Sequence, residues 1–149
     1  EKILSNPEVN FILHWEMLLG KDYSKVLKHG ENFKKEENLG RQLFKNNFIS
    51  TSASTCSKYL LKENLFDEKL PISQDYELWL RMSDSIKISL IKEVLGHYII
   101  REGSITSKAY IKRLFYLIKI LIRHRDKSNI LNLILRILRA FITKQWINI

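Results

Sequence analysis

Asp75 stands in the run Gln74-Asp75-Tyr76-Glu77-Leu78-Trp79-Leu80-Arg81-Met82, where its neighbours give a carboxyl group a setting for proton transfer. Pro71 and Ser73 precede the run. Ser73 is of a type that caps helices, and Asp75 then falls in the first turn, where unpaired amides and the helix dipole favour negative charge. Leu78, Trp79 and Met82 follow Asp75 at i+3, i+4 and i+7, so the predicted helix presents an acid at its mouth over an apolar face. An ionised carboxylate within hydrogen-bond reach of a hydroxyl can take its proton as the oxygen becomes a nucleophile. A carboxylate at a helix start is also an ordinary terminus charge, and position alone does not separate the two readings.

The other reactive side chains have less around them. Cys56 is the single cysteine, which excludes an intrachain disulfide and fits a reducing compartment. His14, His29, His97 and His124 have no partner at metal-ligand spacing and read as structural, so no metal site is expected in this chain. Ser52 and Ser54 lack a His–Asp pattern for nucleophilic catalysis. Arg81 could contact substrate, or pair with Glu77 one turn earlier, a contact worth only about 0.3–0.5 kcal/mol.

Around the Asp75 helix, the pattern predicts a strand over 9–15, a short helix over 39–45, a hydroxyl-rich strand over 46–54 and a short helix over 57–63. Two strands follow over 86–91 and 93–100. Residues 16–45 are polar, with Lys34-Lys35-Glu36-Glu37 as a solvated charge run and no assigned site. Glu1–Ser5 reads as a helix end, and the opening at Glu1 suggests a piece of a longer protein.

Charge divides the chain in two. The 149 residues carry a net +9, yet residues 1–107 hold equal numbers of basic and acidic side chains, whereas 108–149 hold ten Lys and Arg against the single Asp126. Residues 108–124 and 128–147 read as two amphipathic helices with basic stripes and wide aliphatic faces. No uncharged run reaches the roughly 18 residues of a spanning helix. The tail is expected either to lie on an anionic membrane surface or to pack as a hairpin on the domain or a second copy. A nucleic-acid binder is the less favoured class, because the charge accompanies long aliphatic stripes and no zinc, RNP-type or helix-turn-helix pattern is present.

The run Gln74–Arg81 resembles the (Glu/Gln)-Asp-Tyr-x-Leu-Trp-x-Arg signature of family 2 glycosyltransferases, inverting nucleotide-sugar enzymes of the GT-A fold. Further segments are similar to that family in order: Asn6-Pro7-Glu8-Val9 before a strand, Asn46–Ser54, Phe66-Asp67-Glu68-Lys69-Leu70, and Arg101-Glu102-Gly103-Ser104-Ile105-Thr106, the last with fewer residues between Arg and Gly than the family has. The resemblance covers residues 1–107 and implies an α/β fold, an incomplete GT-A C-terminal half, with residues 108–149 as an added basic extension of two amphipathic helices.

By the same resemblance Asp75 is the catalytic base, Thr51, Ser52, Ala53, Trp79 and Arg81 bind the acceptor, and Arg101, Ser104 and Thr106 lie at the donor diphosphate. The reaction implied is sugar transfer from a nucleotide-sugar donor to a glycan or lipid-linked acceptor, as in bacterial surface polysaccharide synthesis. No Asp-x-Asp occurs in the 149 residues. The Mg or Mn ion of a complete enzyme therefore has no holder here, no cofactor is expected in this chain, and the chain alone is expected to be inactive. The alternative is a catalytically silent remnant that binds a partner or membrane. A missing N-terminal half would leave core surface open to self-association. The expected location is cytoplasmic, peripheral at the inner face of the membrane if the tail binds lipid.

Overall fold

The computed structural model describes residues 6–100 and 110–143. Glu1–Ser5 and the three donor-side candidates Arg101, Ser104 and Thr106 lie outside them. The described residues form a small mixed α/β domain with a four-stranded sheet and five α-helices.

The sheet is built on β1 (Phe11–Leu19). β2 (Ser24–Leu27) pairs antiparallel with its second half, β3 (Ser54–Cys56) antiparallel with its first half, and β4 (Ile88–Ile99) runs parallel along its whole length. A strand has two edges, so β2 and β3 share one and β4 takes the other. The parallel pairing needs a long crossover, which holds α1 (Leu39–Lys45), β3, α2 (Lys58–Lys62) and α3 (Gln74–Met82).

Phe11 and Leu13 turn from β1 into the core, where Leu43 and Phe44 of α1 and Leu78, Leu80 and Met82 of α3 are fully buried. Phe11 meets Trp79 edge to face with ring centroids 5.3 Å apart. Tyr76 donates its hydroxyl hydrogen bond to the Leu43 carbonyl at 3.2 Å, tying α3 to α1, and burial pushes its phenol up to about 12. Gly40 lets α1 close on α3, since a Cβ there would stand 2.6 Å from Ser83 Oγ.

The tail forms α4 (Tyr110–Arg123), a 3-10 turn (Arg125–Lys127) and α5 (Ile130–Thr143). Leu114, Leu117, Ile120 and Leu121 of α4 belong to the same core cluster as β1 and α3. Burying each is worth about 1.5–3 kcal/mol, so the basic extension is packed onto the domain.

Several local expectations change. The predicted strand over 46–54 reduces to β3, because Ser50, Thr51 and Ser54 bond within their own loop: the Ala53 N–H donates to the Ser50 carbonyl, and both the Ser54 N–H and Ser54 Oγ donate to that of Thr51. The two strands expected over 86–100 are one, β4, whose register with β1 slips on either side of Trp15. β2 falls within the polar stretch 16–45, to which the sequence pattern assigns no site. Ser73 does not cap α3: its backbone is left-handed (φ 61°, ψ 30°) and its side chain makes no capping bond.

Candidate functional site

Asp75 is half-buried at the start of α3, facing the loop of residues 50–53. Its Oδ2 accepts from Thr51 Oγ1 at 3.0 Å and its Oδ1 from the Tyr76 N–H at 2.8 Å. Both bonds orient the carboxyl group. Thr51 and Ser52 are exposed, so Asp75 sits on a hydroxyl-lined ledge open to solvent.

Beneath the ledge lies a buried polar chain. Ser50 Oγ donates to Glu16 Oε2 at 3.1 Å, and Ser52 Oγ stands 3.0 Å from Ser50 Oγ. A hydroxyl has one proton, so Ser52 donates to Ser50. His29 Nε2 meets the same Glu16 oxygen at 2.9 Å, with both side chains 1% exposed. Glu16 thus anchors the loop that holds Thr51 against Asp75.

Neither Glu16 nor His29 stands out in the sequence as a pair. Alternation along β1 would turn Glu16 outward, but the register slips beside Trp15 and Glu16 is buried. A lone glutamate within the apolar run of β1 was the available signal. Its partner, thirteen residues on, was not readable.

Burial holds the His29 imidazole below its ordinary value, with the Glu16 hydrogen bond and charge opposing that shift only in part and His14 adding to it. The folded state therefore disfavours protonated His29. Its contribution to stability is whole above the unfolded value of 6.5 and is lost as pH falls below it toward the depressed folded value. One such proton changes the unfolding free energy by at most about 1.4 kcal/mol per pH unit. Urea unfolding from pH 7 to 5 is expected to show this loss, and His29→Gln to flatten it; an equal slope in both proteins would exclude His29 as its source.

Glu77 lies two residues beyond Asp75, about 200° around the helix, and faces the tail. Its carboxyl group is 2% exposed and meets Arg81 Nη2 at 3.2 Å, His124 Nε2 at 3.2 Å and Arg123 Nη1 at 3.4 Å. Burial alone would raise this carboxyl, but the bonds and charges of Arg81 and His124 outweigh it and hold it below the ordinary glutamate value. Arg123 also binds Asp67 at 2.7 Å.

Of the acceptor-side candidates, Thr51 and Ser52 are at the ledge. Ala53 is fully buried, and Trp79, 2% exposed, is in the core behind Phe11 rather than at a wall a ligand could touch. Arg81 spends its donors on Glu77, Asn64 Oδ1 and the Leu65 carbonyl at 2.6 Å, clasping the loop after α2. Trp79 is thus a core residue of the described domain, and Arg81 stands hydrogen-bonded at an exposed position, at the rim of an open hollow.

Two hollows among the described residues lie elsewhere. One of about 640 Å³ is lined by residues of β2, the 28–34 loop and α1, His29 and Phe48 among them. The other, about 660 Å³ and open, is lined by Glu77, Arg81, Arg123 and His124. No cluster of three or more His, Cys, Asp or Glu suited to a metal occurs among the described residues. Comparison with protein-family models, curated proteins and solved structures gives no match to this chain.

Proposed function

We propose that this chain is the acceptor-side part of an inverting GT-A glycosyltransferase, with Asp75 the base that deprotonates a carbohydrate hydroxyl. The observation that carries the reading is Asp75 itself, at a helix N-terminus and oriented by Thr51 and the Tyr76 amide on an exposed hydroxyl ledge. The Gln74–Arg81 resemblance supports it independently. A sugar hydroxyl arriving at the ledge would find Asp75 as acceptor and Thr51 and Ser52 as neighbours that bond without crowding. The nucleotide-sugar and its Mg or Mn ion would be held by residues beyond this chain, since no Asp-x-Asp occurs in it.

A silent acceptor-binding remnant is the second reading, favoured by the same missing acidic pair. Calorimetry of this chain with UDP- and GDP-linked sugars, manganese present, tests the division of labour. No binding is expected. Micromolar binding would put a donor site within these 149 residues and overturn the assignment of the chain to the acceptor side alone.

A further inference from the structure

We propose that the outer face of α5 docks onto an anionic lipid membrane. Ile130, Leu131, Ile134, Leu135, Leu138 and Ile142 are each between 48% and 79% exposed. At 3.6 residues per turn they fill one arc of roughly 140°. Adjoining this arc, roughly 20–80° beyond Ile130, Leu133, Ile137 and Ala140 are in or against the core. The apolar sector of the helix is therefore wider than the core covers, and the exposed arc is the part left over.

Charge selects the occupant. Lys112 and Lys119 are exposed on α4, Arg125 on the turn and Arg139 on α5, and residues 108–149 contain one acidic residue, Asp126. A second copy placed on this face would bring two such basic tails together. An anionic leaflet instead takes the aliphatic arc into its headgroup boundary while its lipids attract the lysines and arginines. A nucleic acid would satisfy the charges but leave the aliphatic arc in water. No helix of the described residues is long and apolar enough to cross a membrane, so the attachment is along the surface. The inference stands on the tail and is independent of the glycosyl-transfer reading.

Flotation of the 149-residue chain with phosphatidylcholine vesicles, with and without phosphatidylglycerol, tests it. Binding is expected with the anionic vesicles and weakly or not at all with phosphatidylcholine alone, and it should fall with added salt. Lys112→Gln and Lys119→Gln should each lower the partition constant roughly fivefold. The double variant Ile134→Glu/Leu138→Glu alters exposed positions, so its circular dichroism and urea midpoint should match the parent while its vesicle binding is lost. Equal binding to both vesicle types, no binding to either, or a double variant that floats like the parent would overturn the proposal. So would a concentration-dependent dimer, abolished by the double variant, in a chain that ignores vesicles: a second copy would then be the occupant.

Discussion

Glu77→Ala is expected to destabilise the domain by about 3–5 kcal/mol, the range for removing one member of a buried ion cluster, read as a lowered urea midpoint. The substitution removes the group on which Arg81, Arg123 and His124 converge. His124 is buried and loses its charged partner, while Arg81 and Arg123 can turn to water, which places the effect toward the lower end. The consequence is spatial as well. Glu77 is in α3 and two of its partners close the end of α4, so the apolar docking of Leu114, Leu117 and Leu121 loses its polar clasp. Amide exchange in α4 should accelerate before that of β1. The carboxyl's depressed folded value adds a pH signature: its contribution is whole above the unfolded value of 4.5 and is lost as pH falls through the folded value. Wild type should therefore lose stability in acid more steeply than Glu77→Ala. A variant within about 0.5 kcal/mol of wild type, the usual range for surface changes, would mean the cluster is incidental to the fold.

Local pattern carried some of this structure and not the rest. The i+3, i+4, i+7 spacing after Asp75 foretold α3 and its apolar face, and the clustering of charge after residue 107 marked the tail helices. Ser73 shows the limit of a local rule. It has the right type for a cap, yet the loop delivers it in a left-handed conformation with its hydroxyl unused for capping. β2 was not legible because Ser24-Lys25-Val26-Leu27 has no alternation long enough to declare a strand; pairing with β1 makes it one. The polar chain under the ledge was not legible because its contacts join positions 13 and 34 residues apart. The Glu77–His124 contact spans 47. Such pairs are products of topology. Trp79 shows the same limit: a large aromatic one turn beyond an acid fits a binding wall and a core equally, and only the fold brings it edge to face with Phe11.

The ledge and the tail together suggest a division of labour in the proposed enzyme, with Asp75 and Thr51 meeting the acceptor and α5 meeting the membrane. Glu16 acts at one remove, holding through Ser50 the loop that positions Thr51.

The most direct measurement is turnover by a complete enzyme, this chain together with a donor-binding half, comparing wild type with Asp75→Asn. Asparagine can keep its Oδ1 on the Tyr76 N–H and donate from Nδ2 to Thr51 Oγ1, which as a hydroxyl can also accept, and loss of the charge near the helix dipole costs only about 0.3–1 kcal/mol. The fold should therefore persist, with an unfolding midpoint close to wild type. Without a base, turnover should fall by roughly 10²–10⁴, the range supplied by a positioned proton acceptor. Turnover retained at the wild-type level in a folded Asp75→Asn protein would contradict the assignment of Asp75 as the base.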